Sequence, residues 1–371
     1  MGEANTPGSG NQTGAAAPVL HVAPSPHVKD PSQSTRRMML DVLIGLSPLA
    51  IASVLVFRWF AVWQMAVCVV SAVVTEAVLV KLRGRRSTVG DLSAVVTGLI
   101  LALSLPGTTP LYVAVIAAAA GIAIGKFIFG GLGHNIFNPA MVGRAFVMVS
   151  FAWALGAGAY VASEKSSMNW LADLPGGQSA AITQATPMTE YKAEEGATPV
   201  VPSVSRLFWG NTNGSLGETS AIACLIGGAY LLIRRAASWR LPAGALVGLA
   251  GAGLLRSFGA SSALAGLVLT GQFAQAAEQL STHWTLVHEV LGGAFLFGAL
   301  FIITDPVSTP ITRGGRWAFG IGYGVLVVLL RSMSVYPEGV MYAVLLMNCV
   351  APLLNRWTIP RPVGGPVPAG K

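Results

Sequence analysis

Apolar runs closed by proline, glycine or clustered charge recur along the whole chain. They cover Leu40–Phe57, Phe60–Val80, Leu92–Leu105, Leu111–Phe129 and Met141–Val161, then Leu216–Ile233, Leu241–Leu255, Trp284–Thr304, Trp317–Leu330 and Val340–Leu354. A helix rises about 1.5 Å per residue and the hydrocarbon core of a bilayer is about 30 Å thick, so about 20 apolar residues suffice to cross it. The pattern predicts an all-α integral membrane protein with about ten transmembrane helices. The third and seventh runs are short. Short or interrupted spans are tolerated where the backbone lines a protein-enclosed cavity, so these two are expected to be broken helices near a site.

Five runs precede a long polar stretch and five follow it. Leu92 to Pro106, apolar and ending in proline, parallels Gly292 to Pro306, and the next helices carry Lys126 and Arg331 at comparable places. An odd number of helices per repeat inverts the second half, a plan that puts binding sites at the repeat interface. The expected organisation is a disordered cytoplasmic tail over 1–38, a first five-helix repeat over 39–162, an extracytoplasmic loop over 163–215, a second five-helix repeat over 216–356 and a cytoplasmic tail over 357–371. The tail assignment rests on Gly, Ser, Pro, Asn and Ala and on the lack of a signal peptide's apolar core.

Composition agrees with the pattern. The chain is 53% hydrophobic and 10% charged, against about 45–50% and about 25% in soluble domains. The net charge of +8 does not mark a nucleic-acid partner, because the basic residues flank apolar runs instead of forming a basic domain. Counted from a cytoplasmic start, most Lys and Arg residues fall on one side, including Arg36, Arg37, Lys81, Arg83, Arg234, Arg235, Arg313 and Arg356. The positive-inside rule makes that side, and both termini, cytoplasmic. Cys68, Cys224 and Cys349 each lie in an apolar run without a His or Cys at ligand spacing; they read as core packing, with no metal site. No nicotinamide fingerprint and no iron–sulfur cysteine set is present.

Two kinds of candidate chemistry stand out. The segment Gly130-Gly-Leu-Gly-His-Asn-Ile-Phe-Asn-Pro-Ala-Met-Val-Gly-Arg-Ala-Phe146 places glycines, Asn135, Asn138 and Arg144 at the start of the fifth helix. Free amides there suit an anion and Arg144 a phosphate or carboxylate; a tight turn with Arg144 capping carbonyls is the competing explanation. The second kind is intramembrane charge: Asp41, Glu76, Lys126, Arg144, Glu218, Glu289, Asp305 and Arg331. Charge is costly at that depth, so each points to an ion pathway or an internal pair. Glu76 and Asp305 are the candidates for cation handling.

The motifs Ser25-Pro-His-Val-Lys, Thr35-Arg-Arg-Met-Met-Leu-Asp-Val-Leu-Ile, Gly133-His-Asn-Ile-Phe-Asn-Pro-Ala-Met-Val-Gly-Arg-Ala-Phe, Gly214-Ser-Leu-Gly-Glu-Thr-Ser-Ala, Thr304-Asp-Pro-Val-Ser-Thr-Pro and Tyr336-Pro-Glu-Gly-Val occur in that order. From Ser25 to Pro360 the chain closely resembles the RnfD/NqrB family, whose members belong to Rnf electron-transport complexes and to the sodium-translocating NADH:quinone reductase. The short leader before Ser25 favours the Rnf branch.

The resemblance implies a flavoprotein with FMN joined by a phosphoester bond to a threonine. The matching stretch is Thr183-Gln184-Ala185-Thr186-Pro187-Met188, which makes Thr186 the attachment residue; Gln184 stands where the family has Gly or a small residue, and Ala180 where an Asp is common. Glu218 and Thr219, opening the sixth helix, are then expected to hold the isoalloxazine or ribityl chain, with an acidic first turn as the alternative. A turn at Asp305-Pro306 would shape a flavin or cation pocket, or be a capped turn only. The resemblance further implies a multi-pass subunit of the bacterial inner membrane, not active alone, in a translocase that couples ferredoxin oxidation and NAD reduction to Na⁺ or H⁺ pumping. Its expected partners are a second FMN-bearing subunit, iron–sulfur subunits, a flavin transferase and membrane lipid. A second, noncovalent flavin such as riboflavin is compatible with this plan. Inverted repeats alone would equally fit a channel or transporter without a redox cofactor, which the threonine motif argues against.

Overall fold

The computed structural model describes residues 34–84, 88–107, 109–152, 155, 159–160, 183–184, 203–210, 214–218, 220–269, 286–333 and 339–359. The expectations for Thr186, Thr219, both tails beyond these bounds and most of the long polar loop fall outside the described residues.

The first two helices show how the chain is built for lipid. Helix α1 (Thr35–Phe57) starts where Ser34 Oγ accepts the Arg37 N–H at 3.3 Å. Arg58 alone, at φ 54°, turns the chain into α2 (Trp59–Leu82). On α2, Gln64, Cys68, Ala72 and Glu76 recur every four residues and are buried, whereas Val70, Val74 and Val78 are exposed. In a soluble helix the large apolar stripe faces inward. Here small and polar groups face the protein and valines face out, as expected when the surroundings are hydrocarbon.

Helix α3 (Ser93–Ser104) is opened by Asp91, whose Oδ1 accepts the Ser93 N–H at 2.8 Å, and ends before Pro106. Twelve residues extend only about 18 Å, so the expected short third helix is present. Helix α4 (Leu111–Ala120) passes into a π-helix, Gly121–Phe127, and α5 (Pro139–Ser150) follows a glycine-rich loop. Strands β1 (Ala159–Tyr160) and β2 (Thr183–Gln184) form a two-residue antiparallel ladder, which is the exception to the all-α expectation. Helices α6 (Val204–Trp209), α7 (Ala221–Ile233), α8 (Arg240–Leu269), α9 (Leu286–Leu291) and α10 (Phe295–Phe297) come next. A second π-helix, Gly298–Ile302, extends α10, and α11 (Arg313–Met333) and α12 (Val340–Trp357) complete the chain.

Three expectations are corrected. The seventh run is not short: α8 has 30 residues, because the Arg256 charge that closed the apolar run is paired with Glu289 at 2.7 Å and does not end the helix. The broken span is the eighth, interrupted between Leu291 and Phe295 with Gly293 at φ 65°. The helix α5 of the fifth run ends at Ser150, where Phe151 leaves helical backbone at φ −132°, and most of the run beyond Ala152 lies outside the described residues. Of the three cysteines, Cys68 and Cys224 are buried but Cys349 is exposed, since a thiol is as well accommodated against lipid as in a core.

Helices α1, α2, α11 and α12 are long and apolar enough to cross a membrane. Around the central core of Leu46, Leu101, Phe295, Phe319 and Tyr323, α8 and α11 pack backbone against backbone. A Cβ at Gly248 or Gly324 would collide with the carbonyl of Ile321 or Ala245. Backbones meet there because nothing larger than hydrogen separates them. Gly324→Val is expected to lower stability by about 1–3 kcal/mol, read as a lower melting temperature of the detergent-purified protein. An unchanged value would show that α8 and α11 separate without cost.

Candidate functional site

Polar residues gather at two levels. The first is the end of the bundle where α2 carries Lys81 in its last turn and α7 is followed by Arg234, called here the basic end. A cavity opens there, bounded by Met38 and Met39 of α1, Thr97 and Ile100 of α3, the loop before α5 and the turn after the second π-helix. Most of its wall is apolar. Lys126, Ser93, Asn135, Asn138, Thr304 and Asp305 supply the polar groups.

Each of these is positioned by a local device. The first π-helix carries Lys126 inward, where Nζ meets Glu76 Oε2 at 2.8 Å and also donates to Ser93 Oγ. Glu76 Oε1 accepts from Thr88 Oγ1 at 2.6 Å. Lys126 and Glu76 side chains are 5% and 2% exposed, so Glu76 is one half of a buried ion pair. Asn138 caps α5, its Oδ1 accepting from the Ala140 and Met141 N–H groups at 3.0 and 3.4 Å. The cap itself uses two amides that an anion would need. Asn135 donates from Nδ2 to the Phe137 carbonyl at 3.1 Å, while its buried Oδ1 has no partner.

Asp305 both caps a turn and lines the cavity. Its Oδ1 accepts the Val307 N–H at 3.2 Å and its Oδ2 the Ser308 hydroxyl at 3.0 Å. Burial raises this carboxyl above the ordinary carboxylate range, against the lowering effect of those two bonds. Asn348 of α12, unremarked in the sequence, ties the two walls together. With its amide nitrogen 3.2 Å from the Ser308 carbonyl, its oxygen lies 3.0 Å from the Asn138 N–H.

The second level lies toward the other end of α3, and Arg144 belongs there. It is buried on α5 and interacts electrostatically with Glu218 and Tyr342; it is absent from the cavity lining that includes Asn138. The structure thus brings Arg144 and Glu218 together and separates both from Asn138. Glu218 sits before the N-cap of α7, which is Ser220, so it is not a first-turn acid. The stretch 214–218 is instead held against α3, with Leu216 and Gly217 N–H groups donating to Leu105 O at 3.2 Å and Leu103 O at 2.6 Å.

A third cluster pairs Glu289 and Arg331, two of the intramembrane charges marked in the sequence, and adds Arg256, which was not among them. Arg331 donates through Nη1 to the Glu289 carbonyl and carboxylate, both at 2.7 Å, and through Nη2 to the Gly292 carbonyl at 2.8 Å. Arg256 reaches the other carboxylate oxygen at 2.7 Å. Among the described residues no group of three or more His, Cys, Asp or Glu is arranged to hold a metal ion.

Comparison with known proteins agrees with this architecture. The chain is 38% identical over 347 residues to the D subunit of the Na⁺-translocating ferredoxin:NAD⁺ oxidoreductase complex of Acetobacterium woodii, covering 93% of this chain and 95% of that protein. It is 34% identical to the D subunit of the proton-translocating ferredoxin:NAD⁺ oxidoreductase complex of Clostridium ljungdahlii, over 92% and 95% of the two chains. It is also 34% identical to the D subunit of the ion-translocating oxidoreductase complex of Klebsiella pneumoniae, over 93% and 99%. Residues 21–364 match the model of the NQR2, RnfD, RnfE family, and the chain belongs to that family.

Proposed function

We propose that this chain is the flavin-carrying membrane subunit of an Rnf-type complex that couples electron transfer between ferredoxin and NAD to translocation of Na⁺ or H⁺. The observation that carries this reading is the continuous likeness to the D subunits of such complexes along 93% of the chain. FMN esterified to Thr186 supplies one- and two-electron exchange. The chain's own part is to fix the loop at both ends. The β1–β2 ladder holds Thr183 and Gln184 just before Thr186, and the 214–218 turn is hydrogen-bonded to α3.

The cavity at the basic end suits a second, noncovalent flavin such as riboflavin. Apolar walls match a flat aromatic ring, and Asn135 Oδ1 is a buried acceptor without a donor. Such an atom would take a ring N–H.

The helices are read as two inverted five-helix repeats. The clusters of Glu76, Ser93 and Lys126, and of Arg256, Glu289 and Arg331, each join the second, third and fourth helix of a half. A π-helix lies in each half. With the basic end cytoplasmic, the Thr186 loop lies on the outer side of a bacterial inner membrane, where a flavin transferase reaches it. Iron–sulfur subunits and a second FMN-bearing subunit complete the path.

Mass spectrometry of the peptide containing Thr186, from protein produced with its flavin transferase, is expected to find an added FMN. The adduct, and the flavin fluorescence of the denatured band, should vanish in Thr186→Ala. An unmodified wild-type peptide would overturn the assignment.

A further inference from the structure

Where the 214–218 turn meets α3, three side-chain oxygens are buried without a hydrogen-bond partner: Gln64 Oε1, Ser215 Oγ and Glu218 Oε1. Gln64 and Ser215 are each 1% exposed. Their grouping follows from the backbone. Gln64 Nε2 donates to Ala102 O at 3.1 Å and Leu105 O at 3.3 Å, the same Leu105 carbonyl that accepts from Leu216 N–H. Ser215 is bridged to Pro106, and Glu218 N–H donates to Ser215 O at 3.0 Å.

The orientation of the Gln64 amide is set by those two carbonyls, so its oxygen is necessarily the atom left over. Among the described residues, three donors close to the turn are used elsewhere: Leu216 and Gly217 N–H on the end of α3, and Ser53 Oγ on Leu216 O at 2.6 Å. Arg144 balances the Glu218 charge electrostatically, yet no donor reaches Glu218 Oε1. What remains, among the described residues, is two acceptors and one hydroxyl beside the C-terminal end of α3, where the helix dipole is negative. A buried unsatisfied acceptor costs about 1–3 kcal/mol, and two of them with a hydroxyl gather at this one turn.

We propose that Gln64 Oε1, Ser215 Oγ and Glu218 Oε1 form a binding site for a dehydrated monovalent alkali cation, Na⁺ foremost. Oxygen-only donors suit a hard ion, and the C-terminal ends of interrupted membrane helices are suited to Na⁺. Glu76 lacks this character, since both its oxygens already accept hydrogen bonds. The site stands on this geometry; its use in ion translocation rests on the proposed function.

The test is equilibrium binding of ²²Na⁺ to the purified full-length chain at constant ionic strength in choline chloride, with the Na⁺-dependent rise in melting temperature as a second readout. Saturable binding is expected in wild type, with loss in Gln64→Leu and Glu218→Gln. Ser215→Ala, the mildest change, is expected to weaken Na⁺ binding about ten-fold and serves if the other two fail to fold. Thr186→Ala separates this proposal from the flavin assignment, because Na⁺ binding should persist there whether or not flavin is attached. Absence of saturable binding in wild type, which would leave only water at the turn, or an unchanged affinity in folded Ser215→Ala, would overturn it.

Discussion

Arg331→Met is expected to destabilise the protein by about 3–5 kcal/mol, the loss typical of leaving a buried charge without its partner. Arg331 is 3% exposed and spends its fork on three acceptors: the Glu289 carboxylate, the Glu289 carbonyl and the Gly292 carbonyl. Two of these are backbone carbonyls at the end of α9, where no further helical turn satisfies them. Removing the guanidinium therefore orphans a helix end as well as a carboxylate. Arg256, with a 34% exposed side chain, would remain on Glu289, but from the other oxygen and with a water-screened charge. For that reason Arg256→Met should cost much less. Arg331→Lys should recover only part of the loss, because one ammonium does not reproduce a planar fork. Melting curves of the three variants in one detergent decide this. Equal losses for Arg331→Met and Arg256→Met would mean that the buried contacts contribute nothing special.

The same cluster explains where the sequence was legible and where it was not. Apolar runs gave the helix order, and proline after Leu105 gave the short third helix. Hydropathy treats a charge as the end of a span, whereas in the folded chain Arg256 is neutralised by Glu289 from α9 and α8 continues through it. The break in the eighth helix was hidden because its carbonyls are capped by Arg331, 39 residues from Gly292. Glu76 and Asp305 were recognisable as unusual by their place in apolar runs, but not their partners. Lys126 is 50 residues from Glu76, and the turn capped by Asp305 borrows Asn348 from the last helix. Gln64 carries a signal of the same kind: it starts the four-residue spacing that ends at Glu76, on the stripe of α2 that faces protein. A polar residue on that stripe needs a partner, and only the fold reveals that one of its atoms has none.

Lys126→Met is expected to cost a further about 3–5 kcal/mol for a different reason, since here the pair is single and nearly dry. Without Nζ, Glu76 keeps one hydroxyl, from Thr88, in a place where its side chain is 2% exposed. Glu76→Gln should also be costly, leaving the Lys126 ammonium with Ser93 Oγ and no counter-charge. The double variant Glu76→Gln with Lys126→Met removes both charges at once, and an apolar or neutral replacement of a whole buried pair is often close to neutral. Its melting temperature should therefore lie well above that of either single variant, with a coupling in the four-member cycle larger than either single loss. That result would assign the pair to fixing the π-helix and the cavity wall, with little net contribution to stability. Losses that simply add would mean the two charges are stabilised separately, and the description of Glu76 as one half of a pair would fail.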